Sequence, residues 1–281
     1  MDYHFGICEW SMPVSGTLAI RLASQAGYEG IQLGEAGGRA NGYPLNNRHV
    51  QAAYLEEACR CGIKLHSLNL GALLAEGTLN YAAETEQGRW ARESLSKGFE
   101  VCRNLDLHAV VITVEPKTEE AFAHVVSHLE YAQRLSRDSG VEIAIESAQP
   151  LAQIRRLLDR LDEGTKLCMD LLNPFRFGTG DPREQIRAFG VDRISHFHMK
   201  DSDRELFQPG QRGCVPLGQG DAGFFESVKL IRSLTPGGWM ISENYYYLPP
   251  MNPGDRDFLA LAKQDLETLK GAFSQDGSTV D

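Results

Sequence analysis

Residues 194–201 read Ile-Ser-His-Phe-His-Met-Lys-Asp, a short alternating run that ends in two charged residues. Successive side chains of a β-strand point to opposite faces, so His196 and His198 share one face and Lys200 continues it. Apolar residues predominate on the other face, which is typical of a strand in a parallel sheet that is covered on both sides. The run therefore predicts a buried strand that carries polar groups toward an interior.

Short apolar runs of this kind recur about eight times along the chain. The stretches between them carry apolar residues three and four apart, the period of a helix that buries one face. Gly27, Gly62 and Gly140 stand where three of these helices should end. The predicted strands are His4–Cys8, Gly30–Leu33, Lys64–Asn69, Ala109–Val114, Glu142–Glu146, Lys166–Asp170, Arg193–Met199 and Trp239–Glu243. Repeated alternation of strand and helix indicates a parallel sheet.

Two architectures suit such a chain, an open doubly wound sheet and a closed barrel. The open sheet that binds dinucleotides needs a glycine-rich turn after its first strand, whereas here Glu9-Trp10-Ser11-Met12-Pro13 follows. We therefore predict the α/β class and a single (β/α)8 TIM barrel, a fold that takes about 250 residues. We expect the barrel to span residues 1–273 and residues 274–281 to form a disordered polar tail.

The composition is that of a globular protein with an excess of acidic residues. The chain has 281 residues, with 28 lysines and arginines against 38 aspartates and glutamates, which gives a net charge of −10. This balance argues against nucleic-acid partners, whose phosphates attract basic proteins, and against an anionic membrane surface. No run reaches the roughly 18 apolar residues of a membrane span. The N-terminal residues lack a signal-peptide pattern, so we expect a cytoplasmic protein.

The last four predicted strands end in residues that suit metal binding. In a TIM barrel the active site lies at the carboxyl ends of the strands, and these strands deliver Glu146, Asp170, His198 and Glu243 to that rim. Three carboxylates brought together repel one another unless a cation lies between them. The oxygen-rich set favours Mn²⁺, Mg²⁺ or Co²⁺ over thiolate-bound zinc. The alternative is that each carboxylate separately caps a helix or forms a salt bridge.

Three motifs lie in the second half of the chain: His-Phe-His-Met-Lys-Asp at 196–201, Pro-Leu-Gly-Gln-Gly-Asp-Ala-Gly-Phe at 216–224 and Met-Ile-Ser-Glu at 240–243. They resemble those of the xylose-isomerase-like sugar isomerase/epimerase family, which includes ketose 3-epimerases, inosose dehydratases and hydroxypyruvate isomerases. The resemblance implies one divalent metal ion on the four strand-end residues, with Mn²⁺ the first expectation and Mg²⁺ or Co²⁺ the alternatives. It also implies that Glu146 and Glu243 are the catalytic acid–base pair.

A substrate pocket is expected around these residues. Family epimerases place an arginine that holds substrate oxygens at the position of Arg204. The residues expected to contact the substrate are Arg204, His66, Asn173, Trp10, Glu115 and Lys200. His196, one layer deeper than His198, and Asp201 are expected to lie just outside the metal ligands.

Three positions depart from the family pattern. Family epimerases carry a second glutamate six residues after the strand-five glutamate, a histidine three residues after the strand-six aspartate and a small residue in strand three. Here these positions are Ala152, Asn173 and His66. The pocket therefore differs from that of a standard ketohexose epimerase, and the resemblance does not identify the sugar.

The resemblance and the strand-end residues together predict proton abstraction next to a carbonyl, through a metal-stabilised enediolate of a keto-sugar or polyol-derived ketone. Return of the proton to the opposite face gives epimerisation, with 3-epimerisation as the first expectation. A dehydratase or lyase acting on a keto-sugar or keto-inositol uses the same first step. A catalytically silent sugar-binding or partner subunit is the alternative from another class. Family members form dimers or tetramers, so a homo-oligomer is expected.

Overall fold

The fold is described from a computed structural model, in which residues 2–206, 213–235 and 237–274 are described. Its strands form a closed barrel in which each strand pairs in parallel with its neighbours in chain order, and β8 pairs with β1. The strands are β1 (Asp2–Cys8), β2 (Gly30–Gly34), β3 (Lys64–Asn69), β4 (Ala109–Thr113), β5 (Glu142–Glu146), β6 (Thr165–Asp170), β7 (Ile194–Met199) and β8 (Gly237–Ser242). The predicted α/β barrel is confirmed.

Helices connect the strands. Within the described residues they are α1 (Thr17–Ala26), α2 (Arg48–Cys61), α3 (Gly71–Ala75), α4 (Glu86–Asn104), α5 (Glu119–Ser139), α6 (Leu151–Leu158), α7 (Asn173–Arg176), α8 (Pro182–Phe189), α9 (Phe224–Leu234) and α10 (Phe258–Ser274). Short 3₁₀ helices occupy Glu9–Ser11, Gly38–Asn41, Pro44–Asn46, Thr78–Asn80, Val191–Arg193 and Arg204–Leu206. None of these helices combines the length and the apolar character that crossing a membrane requires. Ser274 of the predicted tail ends α10, and residues 275–281 lie outside the described part of the chain.

The helix ends follow the capping residues of the sequence. Gly27, Gly62 and Gly140 adopt left-handed φ angles of 92°, 64° and 74° directly after α1, α2 and α5, as predicted. Thr85 and Thr118 precede α4 and α5, and each hydroxyl accepts a hydrogen bond from a backbone N–H of the first turn. The capping glycines and threonines therefore determine where these helices begin and end.

The interior of the barrel places small residues beneath polar ones. Ala144 and Cys168 belong to a cluster of small buried side chains on β4, β5 and β6. Two residues further along the same strands stand Glu146 and Asp170, which therefore point inward one layer higher. The register pairs Asp170 with His198 on β7. The two-residue period of the strands therefore places these polar side chains inside the barrel, at the carboxyl ends of the strands.

Strand ends differ from the prediction by one or two residues. β8 ends at Ser242, one residue before Glu243, and β4 ends at Thr113 rather than Val114. The Glu243 backbone N–H still donates to the Met199 carbonyl at 3.0 Å. Glu243 therefore keeps the direction of the strand although it stands just beyond the regular ladder.

Two helical glycines are expected to respond in opposite ways to alanine. A Cβ at Gly88 in α4 would lie 1.9 Å from the carbonyl oxygen of Ala82, whereas a Cβ at Gly271 in α10 meets nothing within 4 Å. Gly88→Ala should lower the free energy of unfolding by about 1–3 kcal/mol through overpacking. Gly271→Ala should raise it by about 0.5–1 kcal/mol through helix propensity. Urea unfolding followed by circular dichroism measures both, and shifts of the same sign in the two variants would contradict this packing.

Candidate metal centre and substrate cavity

Four buried side chains meet at the carboxyl ends of β5 to β8. Glu146, Asp170, His198 and Glu243 each offer one ligand atom, and these atoms all lie within 4.8 Å of one another. The four residues predicted as metal ligands are therefore brought together, and we call them the carboxylate cluster. Each comes from a different strand or strand end, so the barrel itself sets their spacing.

His198 is oriented so that one ring nitrogen faces the carboxylates. Its Nε2 lies 2.7 Å from Oε1 of Gln32, a buried side chain on β2. Donation from Nε2–H to this amide oxygen leaves the Nδ1 lone pair directed at the cluster. Nδ1 lies 2.7 Å from Glu243 Oε2, 3.6 Å from Glu146 Oε1 and 3.9 Å from Asp170 Oδ2. A lone pair so near carboxylate oxygens is repulsive unless a cation or a proton stands between them.

Hydrogen bonds hold two of the carboxylates from outside the cluster. Glu146 accepts from Asn173 Nδ2 and from Thr113 Oγ1, each at 3.1 Å. Asp170 Oδ1 accepts from the backbone N–H groups of Leu172 at 2.8 Å and Asn173 at 2.7 Å. Asp170 Oδ2 is therefore the oxygen turned to the centre. Asn173 restrains both carboxylates, since its side chain binds one and its backbone the other.

Glu243 is held between an indole and an ammonium group. Trp10 Nε1 donates to Glu243 Oε1 at 2.9 Å. Lys200 Nζ lies 2.7 Å from Glu243 Oε2 and 2.6 Å from Asp170 Oδ2. Burial opposes the charged form of Lys200, but Asp170 and Glu243 outweigh it and raise the lysine pKa. Burial likewise opposes ionisation of Glu243, but His198 and Lys200 outweigh it and lower the glutamate pKa. Both groups are therefore charged at neutral pH.

The donor set and the charges of the cluster fit a divalent cation. Asp170 Oδ2 and Glu243 Oε2 face Lys200 Nζ, and these two oxygens and His198 Nδ1 are buried with no further partner in good hydrogen-bond geometry. With the three carboxylates ionised and His198 neutral, as metal ligation requires, Lys200 leaves two uncompensated negative charges in a buried site, which is costly without a counter-ion. Three oxygen donors and one imidazole suit Mn²⁺, Mg²⁺, Co²⁺ or Zn²⁺. A divalent ion would take these atoms as ligands and offset the negative charge together.

Two buried cysteines lie beside His198 but do not make a thiolate site. Cys8 Sγ is 3.9 Å from His198 Nε2, the ring nitrogen that also contacts Gln32. Burial raises the pKa of Cys8 and raises that of Cys168 to about 12. Both side chains are therefore neutral thiols at physiological pH, and the oxygen-rich cluster is the better cation site.

A cavity of about 740 Å³ opens above the cluster. Glu146 and Glu243 line its floor together with Lys200. Of the residues expected to contact the substrate, the structure places on the cavity Trp10, Glu115, Asn173 and Lys200. Because the cavity opens onto both glutamates of the predicted acid–base pair, a bound molecule would meet them together.

The family described as xylose isomerase-like TIM barrel matches residues 20–271. The chain belongs to this family. The predicted resemblance is therefore confirmed, and the match covers most of the chain.

Individual relatives in this fold include several epimerases. The 2-epi-5-epi-valiolone 7-phosphate 2-epimerase of an Actinoplanes species is 27% identical over 256 residues, which cover 88% of this chain and 88% of that protein. An IOLI protein solved with a binding zinc atom has a TM-score of 0.75 at 16% identity, covering 98% of this chain and 100% of that one. The 3-keto-D-glucoside 4-epimerase of E. coli has a TM-score of 0.71 at 12% identity, covering 96% and 100%. The solved structures show a shared fold.

Two predicted substrate contacts lie away from the cavity. His66 is buried with its ring 5.0 Å from that of His196 and 4.8 Å from that of Trp239. It stands three residues before the end of β3, about 10 Å below the rim. The Arg204 side chain is 68% exposed and its guanidinium stacks 4.5 Å from the ring of Phe175. The position of an arginine in the family pattern does not fix the direction of its side chain, because Arg204 lies in a short 3₁₀ helix and not on the strand itself.

The two residues predicted to lie just outside the ligands have different surroundings. His196 lies beneath His198, with ring centroids 5.6 Å apart, and its Nδ1 is 3.0 Å from the hydroxyl of Ser195. It therefore adjoins the cluster without a hydrogen bond to a carboxylate. Asp201 instead accepts hydrogen bonds from the backbone N–H groups of Gly218 and Gly220, at 2.9 and 3.0 Å. Asp201 therefore anchors this glycine-rich turn next to Lys200. The two N–H groups are hydrogen-bonded within the protein.

Gln32 is the residue whose role sequence reasoning missed. From the sequence it stands on the second strand, where it could hydrogen-bond a substrate hydroxyl, whereas the structure places it against His198. A glutamine inside the apolar run Gly30-Ile-Gln-Leu-Gly is the signal that could have revealed it. A buried amide needs a hydrogen-bond partner, and the polar face of β7 is where such partners lie.

Gln32→Met should weaken divalent-metal binding by about 10–100-fold, because losing the acceptor on Nε2 frees the imidazole ring and lowers its basicity. Isothermal titration calorimetry with Mn²⁺ measures the change. Gln32→Glu retains an acceptor and should bind more tightly than Gln32→Met. Ser195→Ala, which removes the hydroxyl beside His196 instead, is the matched control. Equal affinity in Gln32→Met and the unsubstituted protein would show that this hydrogen bond does not orient the ligand.

Glu35, on the loop after β2, gives a pH-dependent prediction. Burial raises its pKa to about 7, against the opposing backbone hydrogen bond from Ala72. A carboxyl whose folded pKa is raised costs stability as pH rises from about 4.5 to 7. The free energy of unfolding of Glu35→Gln, measured relative to that of the unsubstituted protein, should therefore be about 1–3 kcal/mol higher at pH 8 than at pH 4.5. Urea unfolding at both pH values measures this gain, and a difference that does not change with pH would contradict it.

Proposed function

We propose that this protein is a divalent-metal-dependent sugar epimerase or isomerase that moves a proton next to the carbonyl of a keto-sugar or polyol-derived ketone. One observation carries the proposal: Glu146 and Glu243 converge with Asp170 and His198 beneath one cavity. The names of the related epimerases support a sugar or cyclitol substrate. A small polyhydroxylated molecule is therefore the proposed partner, with no nucleic acid involved.

The residues that would hold the ion are the four of the carboxylate cluster. When bound, a divalent ion supplies Lewis-acid polarisation of the carbonyl and stabilises charge that develops on its oxygen. The oxygen-rich donor set makes Mn²⁺ our first choice. Zn²⁺ is the comparison, since the related IOLI structure is described with a zinc atom.

Proton transfer is assigned to the two glutamates. One carboxylate removes the proton beside the carbonyl and the other returns a proton from a different side. Thr113 and Asn173 hold Glu146, while Trp10 holds one oxygen of Glu243. Both bases are thus restrained before a substrate binds, which lowers the cost of reaching the reactive geometry.

The fate of the proton decides the reaction. Return to the opposite face of the same carbon gives epimerisation, for which we propose the C3 position of a ketose. Return to the neighbouring carbon gives isomerisation, and loss of a β-hydroxyl gives dehydration. The relatives are named as a 2-epimerase and a 4-epimerase, so C2 and C4 are the positions to compare with C3.

Deuterium uptake from heavy water into a panel of keto-sugars and keto-cyclitols tests this proposal. Glu146→Gln and Glu243→Gln should each slow exchange by about 10²–10⁴-fold, the contribution of a positioned acid–base group. Metal content is measured on the same samples, which separates loss of the base from loss of the ion. Glu120→Gln, which removes an exposed carboxylate on α5, is the control.

Three results would count against the proposal. Exchange that persists in both glutamine variants would remove the acid–base assignment. Unchanged exchange after exhaustive treatment with a chelator would remove the metal. Tight sugar binding with no exchange at any carbon would favour the catalytically silent alternative. A homo-oligomeric state and a cytoplasmic location stay predictions from the sequence.

A further inference from the structure

One side of the cavity is a wall of small apolar residues. It is built from residues 34–40, which follow β2, and from residues 71–75 of α3. Its cavity-lining glycines and alanines are Gly34, Ala36, Gly37, Ala40, Gly71, Ala72 and Ala75. We call residues 34–40 and 71–75 together the apolar wall. Leu74 belongs to this wall and is 44% exposed, while Phe177 lies outside it, lines the same cavity and is 58% exposed. Large apolar side chains exposed inside a cavity mark a surface that binds a ligand.

The apolar wall is held in place without a ligand. The Glu35 carboxylate accepts a hydrogen bond from the Ala72 backbone N–H, which ties the two segments together. Gly38 has a φ of 50°, and a Cβ there would lie 2.6 Å from a Glu35 carboxylate oxygen, so glycine is required beside this contact. Asn41 Nδ2 donates to the Ala36 carbonyl at 2.9 Å. A preformed surface of this kind saves the entropy of ordering a loop on binding.

The charged groups beside the wall do not favour an anionic ligand there, and Arg176, a further cation on the cavity, lies on α7 outside the wall. Glu35 and Glu76 both line the cavity beside it. Arg39 is turned aside, with its guanidinium 3.6 Å from the Trp90 ring centroid and its Nε 3.9 Å from Glu76 Oε2. Lys200 is held by Asp170 and Glu243. A phosphate group on the wall would therefore face carboxylates, which repel it.

The size of the cavity exceeds the needs of a single sugar ring. Its volume of about 740 Å³ falls in the range of roughly 300–1,000 Å³ that drug-sized ligands occupy. A monosaccharide is smaller than such ligands. A sugar placed at the carboxylate cluster leaves space along the apolar wall.

We propose that the substrate is a keto-glycoside whose sugar ring lies at the carboxylate cluster and whose uncharged aryl or alkyl substituent packs on the apolar wall. The inference rests on the proposed function for the placement of the sugar. The substituent gains affinity because its apolar surface leaves water as it contacts Leu74, Phe177 and the alanines.

The experiment uses hexoses that carry a ketone at a ring carbon other than the anomeric carbon, so that the ketone survives glycosylation. Three forms of each are compared with the full chain loaded with Mn²⁺: the free sugar, its phenyl glycoside and its phosphate ester. Deuterium uptake gives kcat/KM for each. We expect the phenyl glycoside to exceed the free sugar by about tenfold or more and to exceed the phosphate ester. Equal values for the phenyl glycoside and the free sugar, or a preference for the phosphate ester, overturn the inference while leaving the proposed function intact.

Substitutions test whether a preference for the phenyl glycoside depends on the apolar side chains of the cavity. Leu74→Ser and Phe177→Ser should each lower the ratio of phenyl glycoside to free sugar at least threefold. Phe225→Ser removes an aromatic ring of similar exposure, 54%, on α9, and should leave the ratio unchanged. An unchanged ratio in both the Leu74 and the Phe177 variant overturns the inference.

A binding measurement separates the two proposals. Saturation-transfer NMR with phenyl glycosides should show the phenyl protons in contact with the protein and a weaker signal in Leu74→Ser. If no keto-sugar exchanges deuterium but this contact is seen, the proposed function fails and the wall assignment stands. If no phenyl glycoside shows the contact, the wall assignment fails whatever the exchange result.

Discussion

Repulsion between three buried carboxylates is the constraint on which the rest of the site depends. Glu146, Asp170 and Glu243 stand together at the ends of β5, β6 and β8 because parallel strands all present their carboxyl ends at one rim. Burying them is costly unless opposite charge is supplied. Lys200 supplies part of it from within the chain. The remainder calls for a cation, so the chemistry of the site follows from an electrostatic problem that the barrel topology creates.

The residues that hold the cluster side chains in place come from several parts of the barrel. Gln32 on β2 turns the imidazole of His198, and Thr113 on β4 braces Glu146. Trp10, just after β1, braces Glu243. Each partner leaves an atom directed at the centre while fixing the atom behind it. Residues far apart in the sequence therefore act as one support, and the closed sheet is what keeps them in register.

The barrel and the four cluster residues were within reach of sequence reasoning because both follow from short-range periodicity. Alternation along β7 places His198 inward, and the rule that parallel strands end together places it beside Asp170. Arg204 and His66 were out of reach for different reasons. Arg204 depends on how the segment after β7 folds against Asp221, and His66 depends on depth along β3. Periodicity gives the face of a strand but neither its height in the barrel nor the path of a loop.

Closure of the barrel through β1 and β8 has a consequence for folding as well as for chemistry. β8 is the last strand of the chain and pairs with the first over six residues, Gly237–Ser242. Glu243 follows immediately, so the fourth donor arrives only when the two ends of the sheet meet. An ion that needs all four donors would bind the finished barrel and not its open precursors. By mass action, binding of the ion would stabilise the pairing of β8 with β1. The stability of the closed barrel would then depend on the concentration of the metal.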